Sequence, residues 1–347
     1  MMPAERKDHP DRKELEDCEM KYLHELCSDS GIKDVAALSG CPVNLNGPNR
    51  VNILALGDVG TTMLIGLRLL GADVISEIGI MDIRQENLER LEMEINQAGY
   101  PFGYQKLPEI RITEERNLFD CDLLIFCASR GVPPVDASAN VTDVRMIQLE
   151  ANREIIRHYA EAARRSSYRG MVAVVSDPVD NLAAAFLDAA ELEPWQLQGY
   201  GLGVMNMRAL YYAQQHKEGP MSLYAEEGRA YGPHGQDLVI ANSIEHYDVE
   251  VSEALTKLAV ESNLRIRELG YKPYIAPAIS SAALSILLTL RGEWHYGSVY
   301  MGSRREGAFL GVKNRLTEHG IEYEDIPLPD ALYERILKSY SNLCRIR

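Results

Sequence analysis

VNILALGDVGTTMLIGLRLLGADVISEIGIMDI, residues 51–83, is the stretch on which the fold turns. An apolar run of strand length, VNILALG, leads through glycines into a helical pattern, DVGTTMLIGLRLLGA, and then into a second apolar run, VISEIGIMDI. That order is the opening of a parallel α/β unit. The alternation continues with a helix over 86–98, strands over 110–113 and 122–128, a long helix over 146–165 and a strand over 172–175. Beyond about residue 200 the order is mixed: a helix over 207–215, a hairpin-like SLYAEEGRAYG, long helices over 252–269 and 278–290, then strands and a closing helix over 330–343. The expected architecture is α/β, with a Rossmann-type doubly wound parallel sheet followed by a mixed α+β domain. Residues 1–50 read as an N-terminal extension, 51–198 as the nucleotide-binding domain and 199–347 as a C-terminal substrate domain.

Inside the opening unit, Ala55-Leu56-Gly57-Asp58-Val59-Gly60 follows the pattern G-x-G-x-x-G with alanine in the first place. Gly57 lets the backbone approach a pyrophosphate, Gly60 lets the helix pack tightly on the strand, and the helix N-terminus faces the phosphates. The next strand ends in Asp82, where a carboxylate bonds a ribose 2′-hydroxyl and repels a 2′-phosphate. The expected cofactor is therefore NAD, held by Gly57, Asp58, Val59, Gly60 and Asp82.

The chain of 347 residues carries 36 Lys and Arg against 51 Asp and Glu, a formal charge of −15. That balance excludes a generally basic nucleic-acid binder. Hydrophobic residues at 46% and charged residues at 25% are the proportions of a globular rather than a disordered chain. No apolar run reaches the roughly 18–20 residues of a bilayer span, and the nearest, 278–290, carries Ser280, Ser281, Ser285 and Thr289. The first residues, MMPAERKDHPDRKELEDCEM, mix both charge signs without an apolar centre and do not read as a secretory signal. Six cysteines without C-x-x-C spacing read as reduced thiols of a cytoplasmic protein. Leu15, Cys18, Tyr22 and Leu26 recur at helical spacing and predict one amphipathic helix in the extension. Cys18, His24, Cys27 and Cys41 match no metal-ligand spacing, so no metal is expected.

Five further segments follow in order: DLLIFCAS at 122–129, Arg145 seven residues before Asn152, VVSDPVDNL at 174–182, GYGLGVMNMRAL at 199–210 and AYGPHGQDLV at 230–239. With the glycine turn they resemble the lactate/malate dehydrogenase superfamily, from about Val51 to the last residue. The resemblance implies an NAD-dependent oxidoreductase that moves a hydride between NAD(H) and a 2-hydroxy or 2-oxo acid, working as a homo-oligomer, a dimer or tetramer. It puts Ala128 and Ser129 beside the cofactor, His234 at the catalytic histidine, Arg208 at the arginine that binds the substrate carboxylate, and Arg145 on a loop that closes over the substrate. Histidine suits the first task because it exchanges a proton near neutral pH. Arginine suits the second because its planar fork bonds both carboxylate oxygens. Arg145 would polarise the carbonyl as water is shut out.

Four departures from the family's pattern matter. The Asp that orients the histidine falls at Met205, with Asn206 beside it. The Asn of the family's S-N-P turn is Asp177. The loop position that sets side-chain specificity falls at Val132, which does not pair a second carboxylate, although Arg130 is near in sequence. The pocket wall expected near the second long helix reads as the apolar Tyr274-Ile275-Ala276-Pro277-Ala278. Plain malate and plain lactate are both disfavoured. Either Asp177 takes over the lost carboxylate's work beside His234 or binds a cationic substrate group, or the chain is a catalytically impaired NAD-binding homologue acting as a sensor or assembly partner.

Overall fold

The computed structural model describes residues 20–130 and 141–347, with side chains described from residue 149 onward in the second segment. The parallel part of the sheet is built from β1 (Asn49–Leu54), β2 (Ile75–Met81), β3 (Glu109–Ile112), β4 (Leu123–Phe126), β5 (Met171–Val174) and β6 (Leu197–Gly199). A short pair, β7 (Arg229–Tyr231) and β8 (Val239–Ala241), stands apart, and β9 (His295–Gly302), β10 (Gly307–Thr317) and β11 (Gly320–Tyr323) complete the large sheet. Its nine strands run β11-β10-β9-β6-β5-β4-β1-β2-β3. The six-strand half in the order 3-2-1-4-5-6 is parallel throughout, and β9 joins β6 antiparallel. This is the doubly wound dinucleotide-binding order, in which a crevice opens at the C-terminal ends of β1 and β4.

The helices are α1 (Glu25–Asp29), α2 (Asp58–Leu70), α3 (Gln85–Gln97), α4 (Val141–Arg165), α5 (Val179–Ala190), α6 (Leu202–Ala213), α7 (Tyr224–Glu227), α8 (Val249–Glu268), α9 (Ser285–Leu290) and α10 (Asp330–Ile346). The unbroken apolar runs have a direct cause. Leu123 and Ile125 of β4 join one core with Met63, Leu64 and Leu67 of α2. Their neighbours Leu124 and Phe126 join a second core with Ile156 and Ala160 of α4 and Phe186 of α5. Alternate side chains of β4 thus enter two cores, and this strand is apolar on both faces.

Three elements differ from expectation. The expected helix over 278–290 is a π-helical stretch, Pro277–Leu284, continued by α9. The hairpin-like 222–232 holds the short helix α7 before β7, whose partner is the later β8. In the extension, the described helix is only α1, because Lys21 bridges to Leu328 and the Glu25 carboxylate accepts from the Tyr22 amide, 3.0 Å, at the N-terminal side. Leu15 and Cys18 lie outside the described residues. No helix among the described residues is long and apolar enough to cross a membrane.

Candidate active site

The glycine turn leaves β1 through Ala55, whose φ of 74° is left-handed. A glycine takes that conformation freely, whereas alanine pays a steric cost there. At Gly60, a Cβ would fall well inside contact with the Ala55 carbonyl oxygen, so the helix start approaches the strand as closely as the sequence predicts. Gly57 caps α2, and a Cβ there would meet nothing within 4 Å. The space before the helix N-terminus is therefore open to an anionic group. Asp82 follows β2 with its side chain 7% exposed. Its carboxylate accepts from the Leu56 amide at 2.7 Å and the Arg84 amide at 3.0 Å, which ties the end of β2 to the turn and leaves further lone pairs for a ribose hydroxyl. Asp58 pairs with Lys272, 2.9 Å away, which offsets its charge beside the expected phosphates. These residues fit a dinucleotide.

The ends of β4 and β5 are joined across the sheet edge. Ser176 Oγ donates to the Ala128 carbonyl at 2.8 Å. Asn152, fully buried in α4, accepts from the Arg130 amide at 2.9 Å and donates to the Asp177 carbonyl at 2.8 Å. Ser129 and Arg130 are exposed, and the Arg130 guanidinium pairs with Glu154 at 3.1 Å.

Just beyond this edge lies a cavity of about 430 Å³. It is lined by Asp177 from the turn after β5, Asp180 of the first turn of α5, Met205 and Arg208 of α6, His234 between β7 and β8, and Asn263 of α8. The Asp177–Pro178 peptide is cis. His234 Nδ1 lies 3.1 Å from Asp177 Oδ1. The imidazole side chain is 15% exposed and the carboxylate 53%. Gly201 permits this placement, since a Cβ there would lie 2.7 Å from His234 Cβ. With Nδ1 held by a carboxylate, Nε2 is the ring nitrogen left for other chemistry.

Arg208 is 8% exposed. It donates to Met205 Sδ at 3.3 Å and to Asn263 Oδ1, and forms no salt bridge within 4.0 Å among the described residues. Burial pushes its pKa down, opposed by the charge of Asp177. A desolvated guanidinium in a cavity wall is suited to an incoming carboxylate. Met205 is buried and turned to Arg208, while Asn206 accepts from the Tyr224 hydroxyl at 2.8 Å and does not line this cavity.

Asp180 was not singled out from the sequence. It is buried, accepts from Ser298 Oγ, and has its pKa raised from 3.8 to about 6 by burial, against the pull of that hydrogen bond and of His234. The signal was present in the same motif, two residues beyond the proline, but its burial, with Ser298 of β9 as a partner, depends on a segment far off in the chain. Tyr274–Ala278 does not line the cavity; Val260 and Asn263 of α8 do. Val132 lies outside the described residues, and so does the side chain of Arg145. His24, Cys27 and Cys41 have separate partners in Asp325, Tyr340 and the Val43 carbonyl.

A doubly wound sheet with a dinucleotide turn at its switch point, and a His/Arg cavity beside it, defines a Rossmann-type dinucleotide-binding scaffold. Residues 49–199 match the family model for the lactate/malate dehydrogenase NAD binding domain. It is 24% identical over 332 residues to an L-lactate dehydrogenase of Mesomycoplasma hyopneumoniae, covering 86% of this chain and 97% of that protein. Over 190 residues it is 26% identical to the L-lactate dehydrogenase of Mycoplasma pneumoniae, covering 55% and 57% of the two chains. Among solved structures it resembles a lactate dehydrogenase from a Medee basin deep-sea metagenome library, with TM-score 0.69, 19% identity and coverage of 86% and 97%. The malate dehydrogenase of Archaeoglobus fulgidus in complex with NADH is similar with TM-score 0.69, 20% identity and coverage of 86% and 98%. Residues 49–199 are thus similar to the NAD binding domain of lactate/malate dehydrogenases, and the fold of most of the chain is similar to theirs.

Proposed function

We propose that this protein reduces a 2-oxo acid, or oxidises the matching 2-hydroxy acid, with the His234–Asp177 pair as its proton-transfer group. The observation that carries this reading is the 3.1 Å approach of Asp177 Oδ1 to His234 Nδ1 in a cavity that also holds buried Arg208. When bound, NADH supplies the hydride that C2 of the acid accepts. Arg208 binds the substrate carboxylate and fixes C2 in register. His234 gives the proton from Nε2 to the carbonyl oxygen, so that C=O becomes CH–OH, and recovers it from solvent after release. Asp177 holds the ring in one tautomer and stabilises the imidazolium, the work the family gives to an acid where this chain has Met205. Arg145 would polarise the carbonyl and Val132 would face the side chain. Gly57, Asp58, Val59, Gly60, Asp82, Ala128 and Ser129 would hold the dinucleotide, residues 51–198 carrying that site and 199–347 most of the cavity.

The buried thioether of Met205 favours a second reading, an NAD-binding homologue with impaired catalysis that acts as a sensor or assembly partner. A fluorescence titration with NADH, followed by 2-oxo acids of differing side chain watched at the NADH absorbance, separates the two. Binding with turnover supports the enzyme, binding without turnover supports the sensor, and no binding overturns both. Exposed Ile65 and Leu69 of α2 and Met207 and Tyr211 of α6 support a homo-oligomer, to be checked by light scattering. The free thiols of Cys27, Cys41, Cys121, Cys127 and Cys344 support a reducing, cytoplasmic setting.

A further inference from the structure

Three metal-ligating side chains converge at the open end of the β7–β8 pair. Arg229, Ala230 and Tyr231 of β7 face Ala241, Ile240 and Val239 of β8, and the segment between the strands presents His234 to the cavity. Glu227, the last residue of α7, stands just before β7, and Glu245 and His246 follow β8. The strand pairing brings these points together although the whole hairpin separates them in the chain, so their spacing in sequence gives no sign of it. One carboxylate oxygen from each glutamate and one ring nitrogen of His246 all lie within 4.8 Å of one another. His246 Nδ1 is 3.1 Å from Glu227 Oε2. An imidazole among the oxygens separates this group from an ordinary acidic patch. The group is also held from behind. Ser243 is fully buried, and its hydroxyl donates to Glu227 Oε2 and accepts from the His246 amide at 2.7 Å. The Ile244 amide donates to the Glu227 carbonyl at 3.2 Å, and buried Asn242 donates to the His246 carbonyl at 3.3 Å. Two carboxylates so placed repel each other, and among the described residues neither pairs with a lysine or arginine. None of the three side chains lines the cavity of Arg208 and His234.

We propose that Glu227, Glu245 and His246 bind one divalent transition-metal ion, zinc being the ion that best fits the donor set. Zinc takes imidazole nitrogen and carboxylate oxygen together, commonly with three protein ligands and a water, at about 2.0–2.2 Å. Ligand atoms around such an ion stand roughly 3–4 Å apart, so small rotations of the exposed Glu245 and His246 side chains complete the site. Magnesium and calcium prefer all-oxygen shells and fit less well. The ion takes the place of a proton on His246 Nδ1, which passes to solvent, and its two charges offset the two carboxylates. Ser243 orients Glu227, the supporting part that hydrogen-bonded partners play behind metal ligands. Bound there, the ion ties α7 to the turn after β8 and closes the base of the segment that carries His234.

The test is a calorimetric titration of Zn²⁺ alone into the full-length protein after treatment with a chelator, paired with thermal melts with and without the ion. Wild type should bind one equivalent at this site and melt at a higher temperature with Zn²⁺, since a ligand of the folded state alone stabilises that state. Glu245→Gln and His246→Gln change exposed side chains, so both variants should fold as wild type does without the ion. Each should weaken Zn²⁺ binding by at least about tenfold and lose the gain in melting temperature. His319→Gln removes an exposed histidine from the turn between β10 and β11 and should bind Zn²⁺ as wild type does. No Zn²⁺ binding by wild type overturns the proposal. So does binding that is equal in wild type, Glu245→Gln and His246→Gln, or an equal loss in His319→Gln.

Discussion

An imidazole that passes a proton to a carbonyl oxygen works best when its other nitrogen is held, because the wrong tautomer presents no proton at the right place. Asp177, whose Oδ1 lies 3.1 Å from His234 Nδ1, would meet that need from the turn after β5, whereas the family's pattern places the acid on α6. Behind this pair sits Asp180, whose pKa is raised from 3.8 to about 6. The folded state holds this proton more tightly than the unfolded chain, so Asp180 lowers stability progressively as pH rises from about 4 through about 6. The loss amounts to at most about 3 kcal/mol. Asp180→Asn does not titrate, and its melting temperature relative to wild type should therefore be higher at pH 7.5 than at pH 4; a difference independent of pH contradicts the assignment.

At the scale of elements, the joint between β4 and β5 depends on one buried amide. Asn152 binds both the Arg130 amide and the Asp177 carbonyl. Asn152→Ala leaves two backbone groups without that partner, at about 1–3 kcal/mol; denaturant melts should register the cost, and kcat should fall more than NADH affinity does. At the turn after β1, Gly60→Ala drives a methyl group into the Ala55 carbonyl. We expect NADH binding to weaken by about tenfold or more, measured by fluorescence titration, and unaltered binding would show that the helix does not need this approach. The turn was legible in the sequence because its determinants are local: apolar run, glycines, helix and a terminal Asp82 lie within one βα unit. The His234 and Arg208 segments were legible as ordered motifs. Asp180 and Asn263 were not, since their place in the cavity depends on packing between segments distant in the chain. Asn152 was visible as a motif residue, but its bonding to Asp177 was not.

Across the whole molecule, β9 joins β6 and carries one continuous sheet from the nucleotide half into the second half, so the boundary expected near residue 198 is crossed by the sheet. The described part of the extension belongs to the same body. Leu23 and Leu26 are buried in the core that also contains Tyr333, Ile336 and Tyr340 of α10. The sequence showed the helical spacing of Leu26 with Tyr22 but could not show that Leu26 packs with α10 of its own chain. Leu26→Ala should cost about 2–5 kcal/mol in a chemical melt, and a cost below 1 kcal/mol would mean that the extension is merely laid on the surface. The net charge of −15 says little about the ligand, because the cavity wall holds the buried cation Arg208. The central claim is that Asp177 supports proton transfer by His234. Its most direct test is kcat for NADH oxidation with the best 2-oxo acid in wild type and Asp177→Asn, with NADH affinity measured in both. A fall of about 10²–10⁴ in kcat at unchanged NADH affinity is the predicted result, and wild-type turnover by Asp177→Asn would contradict it.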